Sequence, residues 1–122
     1  MSEFRALLID DEEELVTTLV ERLGYRGIEA EYSLDGYEAL GKMRSGSFDV
    51  VVLDLKLPGM GGQEVLARLK SEYPNIPVIL ITGHGALENE PEGRPEGVFD
   101  YLLKPVNLED LIAKMREAVR EP

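Results

Sequence analysis

Strand-like and helix-like stretches alternate along this chain, and that alternation restricts its fold more than any other feature of the sequence. Five short apolar stretches have the composition of β-strands, and they cover residues 4–9, 28–32, 50–53, 78–81 and 98–103. In four further segments apolar residues recur at helical spacing, as in Leu15, Leu19 and Leu23. Strands separated by helices predict a parallel sheet with helices on both faces, because parallel neighbours need crossover connections. We therefore expect an α/β fold with three layers.

The sequence also marks where the helices begin and end. Gly24 and Gly46 can terminate the first two helices, and Tyr73-Pro74 closes the third. Asn107 can cap the last helix, with Asp110 three residues further on. Five apolar residues are predicted to form the buried face of that helix: Leu108, Leu111, Ile112, Met115 and Val119.

Length, composition and charge favour one globular domain over residues 1–122. The chain has 122 residues, of which 43% are hydrophobic, and it contains no cysteine. No apolar stretch approaches the roughly eighteen residues of a membrane span, and no signal-peptide pattern opens the chain. We therefore expect a soluble, cytoplasmic protein without membrane contact. Because the formal net charge is -11, direct contact of this domain with nucleic acid is not expected, and DNA binding would need another domain.

Polar residues follow four of the predicted strands at their carboxyl ends. Asp10 and Asp11 follow the first strand, Asp54 the third, Thr82 the fourth and Lys104 the fifth. In a parallel α/β sheet these ends lie along one edge, where functional groups gather. The sequence therefore predicts that these five residues converge.

Three neighbouring carboxylates need positive charge between them. Two carboxylates about 5 Å apart repel by roughly 3 kcal/mol at an effective dielectric constant near 20. Lys104 supplies one cation, and a cluster of acidic oxygens suits a hard divalent ion such as Mg²⁺. A metal ion and a lysine around one carboxylate favour a site that receives a phosphoryl group, and Thr82 adds a hydroxyl donor.

Four motifs, in this order, resemble the receiver domains of two-component response regulators. They are IDDEEE, VLDLKLPGMGG, LITGHG and DYLLKP, and together they cover essentially the whole chain. The resemblance implies a flavodoxin-like, doubly wound sheet of five parallel strands in the order 2-1-3-4-5. It also implies Asp54 as phosphoacceptor, Lys104 as the phosphate partner, and a cis bond between Lys104 and Pro105.

The same resemblance implies a magnesium site and a switch. Asp10, Asp11 and Asp54 would bind Mg²⁺ together with the backbone carbonyl of Lys56. Thr82 and Tyr101 would form the switch pair. The phosphoryl donor would be the phosphohistidine of a sensor histidine kinase or a phosphotransfer protein.

Each candidate residue also has an ordinary structural interpretation. Asp10 and Asp11 could begin a helix, where acidic residues suit the dipole, and Asp54 could belong to a turn. Lys104 could be a loop charge and Thr82 an ordinary β-branched residue at a strand end. Tyr101 could pack in the core, and His84 could be an ordinary surface residue.

The segment from 88 to 97 departs from the family pattern. It occupies the place of the fourth helix, yet it contains two prolines, two glycines, four glutamates and no apolar side chain. Proline in a helix interior costs about 3 kcal/mol relative to alanine, and glycine about 1 kcal/mol. We expect this helix to be missing or irregular, and the surface beside it to carry a partner contact or a homodimer contact.

Three classes of function remain open. The first is a phosphorylation-activated signalling switch that accepts a phosphoryl group without turning over a substrate. The second is a phosphatase or phosphotransferase with an aspartyl-phosphate intermediate. The haloacid-dehalogenase pattern argues against it, because it needs an acid two residues after the nucleophile, where this chain has Lys56. The third is a pseudo-receiver or scaffold whose partner binding does not depend on phosphorylation.

Overall fold

A computed structural model describes residues 3–83 and 97–120 of the chain. Within these residues, five strands and four helices follow one another in the predicted order. They are β1 (Arg5–Ile9), α1 (Glu13–Tyr25), β2 (Glu29–Ser33), α2 (Gly36–Ser45), β3 (Val50–Asp54), α3 (Gly62–Glu72), β4 (Val78–Thr82), β5 (Asp100–Leu103) and α4 (Leu108–Arg120).

The five strands form one parallel sheet in the order β2-β1-β3-β4-β5, which confirms the predicted topology. Every residue of β3 and β4 is buried, because these strands lie inside the sheet with side chains on both of its faces. At the sheet edge, β5 alternates between half-buried and exposed residues. The sheet therefore presents the ends of its buried central strands along one rim.

Helices cover both faces of the sheet, as expected for three layers. On one face, α1 and α4 pack through residues such as Leu23 and Met115 against Leu8 and Val52. On the other face, residues of α2 and α3 pack against a second apolar set that includes Leu53. Alternate residues of each strand serve opposite faces, since side chains in a strand point alternately up and down.

Local sequence signals explain several helix ends. Asn107 Oδ1 accepts a hydrogen bond from the Asp110 N–H at 3.0 Å, which confirms the predicted cap of α4. Asp35 Oδ1 accepts from the Glu38 N–H at 2.8 Å and caps α2. The prediction that Gly24 terminates α1 is wrong, because the helix continues to Tyr25 and the residue with positive φ is Gly27, at 81°.

Two further predictions are affected by the structure in different ways. Val119 was expected on the buried face of α4 but is 37% exposed, whereas its neighbour Ala118 is buried. The buried face of α4 thus ends on Ala118, not on Val119.

The predicted irregularity over 88 to 97 lies outside the described residues except for Gly97, which has a φ of 89°, so it stays a prediction. No described helix combines the length and apolar character needed to cross a membrane.

Candidate functional site

The candidate site lies at the carboxyl-end rim of the sheet. Asp54 and Thr82 are the last residues of β3 and β4, Asp10 directly follows β1, and Lys104 directly follows β5. Asp10, Asp54 and Thr82 are almost completely buried, with 1%, 3% and 0% of their surface exposed. Two carboxylates are therefore held at the ends of apolar strands, where an unpaired charge is unfavourable.

Lys104 supplies the positive charge at this rim. Its Nζ lies 3.1 Å from Asp54 Oδ2, 3.2 Å from Asp10 Oδ2 and 2.5 Å from Glu12 Oε1. The Lys104 N–H donates to Thr82 O at 2.8 Å, which continues the pairing between β4 and β5. The Lys104-Pro105 peptide is cis, as predicted. The sequence-predicted residues Asp10, Asp54 and Lys104 are thus brought into direct contact.

Asp54 is held in a defined orientation by its own loop. Asp54 Oδ1 accepts a hydrogen bond from the Lys56 N–H at 3.0 Å, while Oδ2 faces Lys104. The side chain of Lys56 is exposed. The backbone of Lys56 therefore lies beside the acceptor carboxylate, whereas its side chain is exposed to solvent.

Asp10 carries an incompletely compensated charge. Its Oδ1 accepts from the Glu12 N–H at 2.9 Å, but its buried Oδ2 has only the ion-pair contact with Lys104 and no hydrogen bond. Burial raises the pKa of Asp10 to about 6; the Glu12 N–H opposes this rise, the charge of Asp54 adds to it, and Lys104 opposes it. The ionised site therefore favours additional positive charge.

Lys104 stays protonated in this environment. Burial alone would lower its pKa, but the close contacts with the carboxylates of Glu12, Asp54 and Asp10 outweigh that effect and raise the pKa above its ordinary value. A permanent ammonium beside Asp54 can neutralise negative charge that arrives there.

The carboxylates of Asp10, Glu12 and Asp54 fit a divalent metal ion. One oxygen from each lies within 4.8 Å of the others. Ligand oxygens on opposite sides of one Mg²⁺ ion are about 4.2 Å apart, since each bond is about 2.1 Å long. The donor set is entirely oxygen, and Asp10, one of its members, has a buried Oδ2 atom without a hydrogen bond. Hard-cation chemistry therefore suits the site.

The carboxylate group in the structure differs from the predicted metal ligands, which stay a prediction. Sequence reasoning selected Asp11, which is exposed and lies outside the carboxylate group described above. It missed Glu12, which reaches Lys104. The available signal was the run of acids from Asp10 onward, in which Glu12 is the residue that immediately precedes α1.

The proposed switch residues lie on neighbouring strands. Thr82 is buried, and its Oγ1 makes a long contact of 3.4 Å with Gly83 O. Tyr101 is paired in register with Leu80 and is 40% exposed. The interpretation of Tyr101 as core packing is therefore wrong, since its ring is at the surface. His84 lies outside the described residues.

Known proteins with similar sequences are bacterial regulators. The chain is 35% identical over 121 residues to the uncharacterized transcriptional regulatory protein YkoG of Bacillus subtilis, covering 99% of this chain and 53% of that protein. It is 37% identical over 120 residues to the transcriptional regulatory protein TcrA of Mycobacterium tuberculosis, covering 98% of this chain and 47% of that protein. The chain thus spans about half the length of these relatives.

Solved structures agree with this similarity. The CheY-like receiver domain protein from Methanospirillum hungatei superimposes with a TM-score of 0.87 at 32% identity, covering 97% of this chain and 94% of that chain. The receiver domain of NtrX from Brucella abortus superimposes with a TM-score of 0.88 at 28% identity, covering 96% and 99%. The family model of the response regulator receiver domain matches residues 6–116. With this match over most of its length, the chain belongs to the receiver domain family of two-component response regulators.

Proposed function

We propose that this domain is a phosphorylation-activated switch in which Asp54 accepts a phosphoryl group from the phosphohistidine of a sensor histidine kinase or a phosphotransfer protein. The observation that carries this proposal is the contact of 3.1 Å between Asp54 Oδ2 and Lys104 Nζ at the end of a buried strand. An oxygen of Asp54 attacks phosphorus, the bond from phosphorus to the histidine nitrogen breaks, and its electron pair stays on the imidazole. The product is an aspartyl phosphate.

The chain's own residues orient the attacking carboxylate and neutralise the charge of the phosphoryl oxygens. The Lys56 N–H holds Asp54 Oδ1, so the carboxylate plane is defined before the donor arrives. Lys104 remains protonated and can pair with a phosphoryl oxygen. Thr82 places a buried hydroxyl at the end of the adjacent strand, where it can donate a hydrogen bond to a second phosphoryl oxygen.

Magnesium is the cofactor that we propose for this site. Asp10 and Asp54 are the buried carboxylates that would hold it, and the family pattern adds Asp11 and the carbonyl of Lys56. When bound, Mg²⁺ supplies charge neutralisation for the transferring oxygens. The domain then accepts and releases a phosphoryl group without turning over a substrate, and so we propose no enzymatic activity beyond its own modification.

The proposed output surface includes the outer side of β5. Tyr101 and Leu103 alternate along this edge strand and are 40% and 49% exposed. Tyr101 would respond to phosphorylation together with Thr82, and the exposed apolar side chains would contact a partner or a second copy of the chain. Sedimentation at several concentrations, with and without a phosphoryl donor, would test the homodimer.

Intact-mass measurement after incubation with acetyl phosphate and Mg²⁺ tests the phosphoacceptor directly. The wild type should gain one phosphoryl group, and Asp54→Asn should gain none. Asp49→Asn is the matched control, because Asp49 precedes the opposite end of the same strand and is exposed. A wild type that remains unmodified with acetyl phosphate and with each histidine kinase tested would favour the scaffold function instead.

A further inference from the structure

We propose that Glu12 is a positioning residue that holds Lys104 while Asp54 is unmodified and releases it when Asp54 carries a phosphoryl group. The inference rests on the proposed function, because it assigns a role within the same site. In the resting state, the carboxylate of Glu12 occupies the contact to Lys104 that a phosphoryl oxygen needs later.

The contacts of the Lys104 ammonium support an exchange of partners. An ammonium group has three protons to donate. Three carboxylate oxygens lie within 3.2 Å of Nζ, from Glu12, Asp54 and Asp10, and the contact to Glu12 is the shortest, at 2.5 Å. A phosphoryl oxygen on Asp54 can therefore gain a full contact with this ammonium only in place of one of these oxygens.

Burial decides which of the three is replaced. The Glu12 side chain is 59% exposed, whereas those of Asp10 and Asp54 are 1% and 5% exposed. A buried carboxylate that loses its cation is left uncompensated, which is strongly unfavourable. A carboxylate as exposed as that of Glu12 is rehydrated when it leaves, and such exposed pairs contribute little. Glu12 is therefore the partner that is released.

The main chain of Glu12 allows this release without disturbing the rest of the site. Its N–H donates to Asp10 Oδ1 at 2.9 Å, and α1 begins at the next residue. The backbone is thus fixed on both sides while the side chain projects into solvent. A rotation of the Glu12 side chain frees Lys104 and leaves Asp10 in place.

Chemical labelling of lysines tests the resting contact without metal or phosphate. Wild type, Glu12→Gln and Glu13→Gln are treated with a limiting amine-reactive ester in chelator, and modification is measured on each lysine by peptide mass spectrometry. Glu13→Gln is the matched control, since Glu13 is the adjacent exposed acid. Glu12→Gln should increase the labelling rate of Lys104 by about two- to five-fold, the range expected for loss of an exposed ion pair.

Lys70 serves as an internal standard for general loosening of the fold. It is half-buried, and its Nζ donates to Ile76 O at 3.2 Å, away from the rim. Its labelling rate should be the same in all three proteins. An unchanged Lys104 rate in Glu12→Gln would overturn the inference, and so would an equal rise at Lys70, because Glu12 would then act on the whole fold.

Binding of beryllofluoride, a mimic of the aspartyl phosphoryl group, tests the release. In the presence of Mg²⁺, Glu12→Gln should bind it about two- to five-fold more tightly than wild type or Glu13→Gln, because Lys104 no longer has a competing partner. Weaker binding would overturn the exchange and indicate that Glu12 supports the modified state. Failure of the wild type to bind would contradict the proposed function and the release with it, while labelling still decides whether Glu12 holds Lys104.

Discussion

The ammonium of Lys104 lies 3.1 Å from Asp54 Oδ2, although fifty residues separate the two in the chain. β4 lies between the strands that carry them. Neighbouring strands are about 4.8 Å apart, so roughly two strand spacings are bridged by the lysine side chain, the ion-pair contact and the aspartate side chain together. The long lysine side chain supplies most of this reach, and it brings its charge to the buried carboxylate while staying 18% exposed.

Replacement of this lysine should destabilise the resting protein. Lys104→Met leaves Asp10 and Asp54 without their shared cation, and we expect the free energy of unfolding at pH 7 to fall by about 1–3 kcal/mol. Urea denaturation in chelator measures this change. Lys56→Met is the control, because that side chain is exposed and its loss should have little effect. Equal stability of Lys104→Met and wild type would show that the ammonium does not compensate the carboxylates.

Replacement of Asp10 should have the opposite effect, because the buried charge of this residue lowers the stability of the fold at neutral pH. Its pKa is raised from 3.8 to about 6 in the fold, so the folded state binds a proton more tightly than the unfolded state. Above pH 6 the carboxylate is charged in both states, and its burial lowers stability by up to about 3 kcal/mol. As the pH falls from 6 towards 4, the folded state takes up the proton and this unfavourable contribution disappears.

We therefore expect Asp10→Asn to be more stable than wild type at pH 7 in chelator, with the difference shrinking at pH 5. The asparagine retains an oxygen for the Glu12 N–H and removes the buried charge. Urea denaturation at both pH values gives the two free energies of unfolding. A variant that is less stable than wild type at pH 7 would mean that the ion pair with Lys104 outweighs burial.

The location of the site could be predicted from the sequence, because it depends on strand ends. An apolar run such as Val50 to Leu53 must lie in the core, and the acid that follows it must lie at the rim. In a parallel sheet all such ends lie along one edge, so the sequence predicts that Asp10, Asp54 and Lys104 lie together. That Glu12 also belongs to the site could not be predicted in this way, since its contact with Lys104 depends on the direction of one side chain at the start of a helix.

The helix ends were predictable only where one residue type determines them. Asn107 caps α4 because its amide oxygen can accept from a free N–H of the first turn. Gly24 did not end α1, since glycine is tolerated within a helix and the left-handed position falls on Gly27. Ala118 and Val119 are neighbours in the last turn of α4, where apolar spacing alone does not decide which of them is buried.

Addition of Mg²⁺ should stabilise the folded domain through the acid cluster. Binding to the native state alone contributes about 2.7 kcal/mol when the free ion is at one hundred times its Kd. Thermal unfolding in increasing Mg²⁺ should show a rising Tm for wild type and a much smaller rise for Asp54→Asn. The control Asp49→Asn should behave like wild type. A Tm that is independent of Mg²⁺ in the wild type would contradict the proposed cofactor.

Gly62, the first residue of α3, should tolerate no side chain. A Cβ atom there would lie 2.2 Å from the backbone oxygen of Leu55, in the loop that follows the phosphoacceptor. Because this neighbour is main chain, it can move only with the loop itself. We expect Gly62→Ala to lower the free energy of unfolding by about 1–3 kcal/mol and to disturb the hydrogen bond between the Lys56 N–H and Asp54 Oδ1.

Gly41→Ala supplies the opposite expectation for the same chemical change. Gly41 lies within α2, and a Cβ atom there would have nothing within 4 Å among the described residues. Alanine should therefore raise the free energy of unfolding by about 0.5–1 kcal/mol through its higher helix propensity. Urea denaturation of both variants, with amide chemical shifts of Leu55 and Lys56, measures the stability and the loop together. If Gly62→Ala is as stable as Gly41→Ala and leaves those shifts unchanged, then the close approach of α3 to the loop does not restrict residue 62.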